Sequence, residues 1–416
     1  MQRAWWIFAV VSLCFFFITA GTFSSLGVVL FKMAAELHWS FSGAGAGFAL
    51  LCLTCGLSSP LPAITIKRVG TRWTMVAGCV TLAIGFALAA VTQSLGLFLV
   101  ATGLMGLGFT LTANIPGVHL LAAWFPMSAP RIIGFYFMAG GLGGVFGPLL
   151  VNALVAERGW RAHWLVMAVA ALLIGVVCSV VLAEAAGSKS QTTGASEAAA
   201  GTAGGVWTAR AAMLTRQFMI VALAMLVIQT LVTTVHSLII AHLARLGLST
   251  AFGALVMSIL GLSDSIAKGV AGTVSTRIGP RQLLIGGLLM LSAAAVLLAL
   301  AGSPVIACAF AVMLGVGWGS SWLGATLLLL EYFGAGIAAE TVSTATLITT
   351  VALAGPVVAG RIADVTGTFV PFFYASAGIM LITALVCTTL RAPVPSKQAT
   401  DGVAVSDSTL FEADAQ

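Results

Sequence analysis

Arg68–Arg72 reads RVGTR, and 209 residues further on Arg277–Arg281 reads RIGPR. The echo continues on both sides of each copy. Gly78 returns as Gly287, and Gly106 and Gly108 of GLGF return as Gly315 and Gly317 of GVGW, all at the same offset. Gly147 and Pro148 return as Gly355 and Pro356, and Gly159 as Gly367, at an offset of 208. A register kept to within one residue over so many positions marks two copies of one structural unit.

Each copy is built for lipid. Sixty per cent of the 416 residues are hydrophobic and 7% are charged, against roughly 25% charged in soluble domains. Apolar runs of about 20 residues, enough to cross a hydrocarbon core as helix, recur along the chain. Twelve are expected, at residues 5–30, 43–66, 73–91, 95–123, 132–156, 164–183, 218–242, 252–274, 283–300, 305–330, 337–360 and 369–390. The first is too long, and too poor in a cleavage site, to be a secretory signal. The reading is an all-α membrane protein with twelve transmembrane helices in two pseudo-symmetric six-helix bundles, 1–184 and 216–392. Between them, 185–215 carries the run GASEAAAGTAGG and is expected to be a flexible cytoplasmic linker; 393–416 is expected to be a disordered cytoplasmic tail.

An even number of spans puts both termini on one side, and the Lys/Arg bias chooses it. With the N-terminus inside, twelve of the eighteen basic residues fall in the cytoplasm and five outside. Lys268 alone falls within the membrane. The net charge of +6 is thereby accounted for by topology, so no nucleic-acid partner is implied. The seven cysteines all fall in expected helices, and the CxxC of Cys52 and Cys55 is read as helix packing; no metal and no cofactor is expected. Paired aspartates, a nucleophile with its base, and HExxH are all missing, which argues against an enzyme.

GLSDSIAKGVAG, Gly261–Gly272, places Asp264 and Lys268 one turn apart inside an apolar run. A charge at the centre of a membrane helix costs about 2.5–3.5 kcal/mol, and such residues normally face an interior cavity. At i and i+4 the two heads can meet and offset part of that cost. Subtracting 209 maps Asp264 onto Cys55 and Lys268 onto Ser59, so the scaffold is built once without either charge. The pair is an addition to the fold.

The chain resembles the major facilitator superfamily. KRVGTR is similar to that superfamily's loop between the second and third helices, without its usual acidic residue, and the resemblance makes Arg68, Arg72, Arg277 and Arg281 gating-loop residues. Several stretches look like the monocarboxylate and oxalate/formate transporter branch: VLFK at Val29–Lys32, GLGF with Asn114 and Pro116 following, WFP at Trp124–Pro126, GWR at Gly159–Arg161, GWGSS at Gly317–Ser321 and GPVVAGRIADVTG at Gly355–Gly367. The branch carries an arginine on helix eight, with or without an acidic residue four positions away; here the place is held by Asp264 and Lys268. A lysine that animal carriers place on helix one falls near Ser25, and the helix-eleven lysine of oxalate exchangers has no counterpart, which points to a singly charged anion.

The resemblance thus implies a secondary active transporter of a small organic anion, a monocarboxylate, coupled to protons and working by alternating access. Lys268 holds the carboxylate and Asp264 partners it when the site is empty. When Lys268 turns to the incoming anion, Asp264 is left without its counter-charge and takes up a proton. Asn114, Tyr136, His236 and Trp318 are further candidate substrate-binding residues, and His119 a candidate for the path. The expected setting is the plasma (inner) membrane with both termini cytoplasmic and a monomer as the working unit. A proton-coupled efflux carrier for drugs or other small organic molecules is the alternative, favoured by the glycines of GGLGGVFGP.

Overall fold

The structure, a computed structural model, describes residues 2–39, 41–182 and 207–393. The expected linker from 185 to 206 and the expected tail from 394 lie outside the described residues. Among the described residues every regular element is helical. Helix α1 comprises Gln2–Thr19, a π-turn at Ala20–Ser24, and Ser25–Glu36. Helix α2 begins as Phe41–Leu57 and continues to residue 69; α3 covers 71–91, the two separated within Leu61–Val91 by Gly70. Helix α4 is Leu95–Thr112 and Asn114–Trp124, interrupted at Ala113. Helices α5 (129–158) and α6 (160–181) are the two parts of Ala129–Val181 on either side of Gly159. A one-turn helix, Ala209–Met213, capped by Thr208, occupies the end of the expected linker.

The second half repeats the plan. Helices α7 (Arg216–Arg245), α8 (Thr250–Ile278), α9 (Pro280–Ala299) and α10 (Pro304–Phe333) follow in order. Helix α11 is Ala338–Thr349, a 3-10 stretch Thr350–Ala354, and Gly355–Thr366; α12 is Val370–Cys387. Among the described residues ten stretches are long and apolar enough to cross a bilayer, and Ala46–Leu57 is a shorter apolar helix.

The repeated glycines are where the geometry demands them. Gly70 and Gly279 have φ of 85° and 81°, and Gly159 and Gly367 have 80° and 77°. A residue with a Cβ is strained there. These single residues reverse the chain with almost no loop, which corrects one expectation: the gap foreseen between the fifth and sixth spans closes to Gly159 alone. Helix α6 therefore starts four residues before Trp164, and His163 lies inside it.

Gly78 and Gly108 form the α3–α4 crossing, and Gly287 and Gly317 the matching α9–α10 crossing. A Cβ on Gly108 would meet the Gly78 carbonyl at 2.8 Å, and one on Gly317 the Gly287 carbonyl at 3.0 Å. The symmetry extends to the caps, since Ser94 and Ser303 each accept a hydrogen bond from the backbone N–H three residues on.

Each half has a core of its own. Phe86 stacks on Trp164, at 5.7 Å between ring centroids, beside Phe98 in the first; Phe218, Phe310 and Phe373 anchor the second. Lipid is as apolar as these side chains, so close packing rather than water exclusion holds such helices together. The halves meet through two symmetry-related crossings, α2 with α11 and α5 with α8. Toward the end where the chain's termini lie, Lys67 pairs with Glu340, and Ser59 Oγ donates to the Ser343 carbonyl at 3.0 Å. Across α5–α8 a Cβ on Gly134 would lie 2.7 Å from both the Gly272 Cα and the Lys268 carbonyl oxygen. No side chain fits there.

Candidate substrate site between the two halves

Four of the expected site residues come together. Lys268 Nζ donates to Asp264 Oδ2 at 2.7 Å, with the side chains 12% and 5% exposed. Lys268 Nζ also stands 4.7 Å from the Trp318 ring centroid, within range of a cation–π attraction. The His236 ring meets Trp318 edge to face at 5.5 Å. A carbonyl can only accept, so the 2.8 Å contact from His236 Nδ1 to the Val232 oxygen puts the proton on Nδ1 and leaves Nε2 as the acceptor.

The backbone explains why the pair is seated so tightly. Helix α10 approaches α8 through Gly315 and Gly319; a Cβ on Gly319 would lie 2.6 Å from the Asp264 carbonyl oxygen and 3.2 Å from its Oδ1. The GVGWGSS run is therefore a flat floor beneath the carboxylate. Asp264 Oδ1 and Trp318 Nε1 are both buried without a hydrogen-bond partner. Unpaired buried polar atoms are expensive, and their concentration here marks a place where another molecule's polar groups would be stabilised. Lys268 lies ten residues from Ile278, about 15 Å from that end of α8 at 1.5 Å per residue. That is well inside a hydrocarbon core about 30 Å thick.

A cavity of about 210 Å³ opens between the halves, lined by residues of α1, α2, α4, α7, α10 and α11. Asn114 reaches it from the break in α4, with Thr110, Gln229, Thr350 and the aromatic rings of Phe23, Phe109 and Trp322. Lys268, Asp264, His236 and Trp318 do not line it; Trp322, on its wall, is one helical turn from Trp318 on α10. Tyr136 is elsewhere: fully buried, stacked on Phe15 at 4.7 Å and pressed against Gly117, it does not line this cavity.

The loop arginines divide. Arg68 and Arg277 are exposed, Arg72 lies 5.1 Å over the Trp73 ring, and Arg281 donates to the carbonyls of Cys387 and Thr388, capping the end of α12. His119 is hydrogen-bonded to Thr71 Oγ1 at 3.1 Å.

Two groups escaped the sequence reading. Lys67 and Glu340 belong to different halves, and nothing in their neighbourhoods announces the pairing. His163 contacts Ser25 Oγ at 3.0 Å, both fully buried, beside the π-turn of α1. Ser25 donates to the Ala20 carbonyl, so it accepts from His163 Nε2–H, and the buried His163 Nδ1 has no partner. An ionisable residue inside a span is a detectable signal; setting the sixth span to begin at Trp164 hid it.

Two pseudo-symmetric six-helix bundles with a charged pair and a cavity at their junction describe a membrane transporter with two rocking halves. The profile of the Major Facilitator Superfamily matches residues 11–354, and the chain belongs to that family. No curated protein sequence matches it. Among solved structures, the fucose:proton symporter FucP of E. coli aligns at a TM-score of 0.73 with 16% identity, over 92% of this chain and 98% of that one. The proton:xylose symporter XylE aligns at 0.72 and 17%, over 94% and 96%. The human organic anion transporter MFSD10 aligns at 0.70 and 17%, over 92% and 99%. At such identities the likeness bears on the fold alone. The chain is a multi-pass transporter and not an enzyme.

Proposed function

We propose that this transporter moves a small, singly charged organic anion, a monocarboxylate, together with a proton. The observation that carries the reading is the Lys268–Asp264 pair, buried on α8 beside α10, with the Lys268 backbone at the α5–α8 crossing, and absent from the equivalent Cys55 and Ser59 of the first half. One lysine neutralises one carboxylate. The anion displaces Asp264 from Lys268, and the freed carboxylate takes a proton, so that the loaded site is electrically neutral. His236, within the same cluster and with Nε2 free to accept, is the group that passes this proton. Asn114 and the cavity hydroxyls orient the remainder of a substrate small enough for about 210 Å³.

Alternating access is supported by the two symmetry-related crossings, α2 with α11 and α5 with α8, about which the halves can rock. The solved relatives with proton:sugar and organic-anion names are in keeping with a proton-coupled carrier of a small solute. The reading takes a monomer in the plasma (inner) membrane as the working unit; the distribution of basic residues supports placing both termini and the segment 185–215 in the cytoplasm.

The test is uptake of labelled monocarboxylates into proteoliposomes, with and without an imposed pH gradient. Acid outside should accelerate uptake of at least one monoanion. Transport of organic cations or drugs by the same preparation, with no carboxylate carried at any gradient, would replace this reading with the efflux one.

A further inference from the structure

Cys14 of α1, Cys79 of α3 and Cys178 of α6 bring their three Sγ atoms within 4.8 Å of one another inside the first bundle, and all three residues are at most 1% exposed. They come from three helices and lie outside the cavity lining. The sequence gives no hint of this, because ligands 65 and 99 residues apart match no metal-binding spacing. The approach is arranged by the backbone: a Cβ on Gly175, one turn before Cys178, would stand 3.1 Å from the Cys79 Cβ, so α3 and α6 close on each other just there.

The internal repeat shows which of these thiols are peculiar to the first half. At the 209 offset of the repeat, Cys79 corresponds to Leu288, next to the matched pair Gly78 and Gly287, while Cys178 corresponds to Cys387, fully buried like it. The second half thus keeps one of these thiols, Cys387, but among the described residues only the first half brings three together. Where three soft ligands converge, metal chemistry is the natural use.

We propose that Cys14, Cys79 and Cys178 form a binding site for a thiophilic d10 metal ion, Cu(I), that staples α1 to α3 and α6. Three sulfurs in a plane at about 2.3 Å from an ion, the usual metal–thiolate distance, stand about 4.0 Å apart, and two in line stand about 4.6 Å apart. Three sulfurs no more than 4.8 Å from one another are close enough to share one such ion. No fourth His, Cys, Asp or Glu atom joins the three among the described residues. That leaves a four-coordinate zinc site incomplete and suits Cu(I), which soft sulfur ligands select. Binding is an exchange without redox change: Cu⁺ replaces the protons of two thiols, which pass to water, and the third sulfur closes the plane as a neutral thiol. The centre then carries a single negative charge, the least that two thiolates allow in so apolar a setting.

The experiment uses the full chain, purified in detergent under anaerobic reducing conditions, with Cu(I) supplied from the chromogenic chelator bicinchoninate. Because Cys52 and Cys55 line the cavity and could take up Cu(I) themselves, the test is made in a variant with Cys52, Cys55, Cys308 and Cys387 changed to alanine. One Cu(I) per chain is expected, with an X-ray absorption spectrum showing sulfur neighbours only. Adding Cys79→Ser or Cys178→Ser should weaken binding at least a hundredfold. A second readout covers any variant that fails to fold: in the unaltered chain, Cu(I) should protect Cys14, Cys79 and Cys178 from alkylation in partly unfolded protein, as read by mass spectrometry. Failure of the four-alanine variant to bind Cu(I), unchanged affinity after the serine substitutions, or unprotected thiols would each overturn the proposal.

Discussion

Replacing Lys268 by alanine removes the sole charge facing Asp264 in the pair while leaving the carboxylate where it is, 3% exposed with Oδ1 already unpartnered. Breaking a buried ion pair from one side costs about 3–5 kcal/mol, a factor of roughly a hundred to a few thousand in the folded population at 1.4 kcal/mol per tenfold. Asp264 escapes most of this by binding a proton, so the variant is expected to reach the membrane with a lowered unfolding temperature and no anion uptake. Lys268→Ala with Asp264→Ala together should recover stability without recovering transport, giving a coupling of about 0.5–3 kcal/mol between the two sites. Lys268→Arg keeps the charge and replaces a point donor by a planar fork, so uptake should persist with changed affinity. Initial uptake rates in proteoliposomes, normalised to reconstituted protein, and thermal unfolding in detergent are the two measurements. Native-rate uptake by Lys268→Ala at normal protein level would refute the site, and strictly additive destabilisation in the double variant would refute the coupling.

Glu340→Gln removes the Lys67 partner at the crossing of α2 and α11, and with Lys67 55% exposed the pair should contribute about 1 kcal/mol or less. The expected result is an up to fivefold shift toward the state open at the termini's end, seen as faster alkylation of a cysteine introduced at Ser343; an unchanged rate would mean the ion pair does not hold that end shut. Gly272→Val drives side-chain atoms into the Pro130 carbonyl and Gly134, 2.7 and 2.8 Å from where its Cβ would stand, so folding yield should collapse, whereas Gly286→Ala, with open space around it, should be tolerated. At the opposite end, beyond the apolar part of α1, Arg161 and then Trp160 hydrogen-bond the Glu36 carboxylate and hold its pKa below the usual carboxylate value. That depressed value means the stabilisation is complete above the ordinary carboxylate range and is lost as pH falls through the folded-state value. Glu36→Gln should therefore lower the unfolding temperature slightly at neutral pH, leave it nearly unchanged in acid and so flatten the acid limb; an identical acid limb would remove Glu36 from the account.

Much of this architecture was legible without coordinates because a bilayer makes composition and length decisive. A helix is the one open-ended element that satisfies every backbone group in lipid, so apolar runs of the right length read directly as spans, and the 209-residue register reads as two bundles. Gly70, Gly159, Gly279 and Gly367 show the same principle at single positions, their left-handed φ being conformations that residues with a Cβ adopt only under strain. The Asp264–Lys268 pair was equally visible, since four residues along a helix is a local relation and charge in hydrocarbon is conspicuous. What lay beyond reach was every relation between helices distant in sequence. The seating of Trp318 over Lys268, the placement of Asn114 in a cavity while Tyr136 is enclosed by Phe15, the Lys67–Glu340 contact and the three converging thiols all depend on how α-helical faces are rotated against one another. That rotation is chosen by van der Waals packing of small residues against partners on other helices. Such complementarity is a property of pairs of surfaces, and it has no period or motif within either chain segment alone.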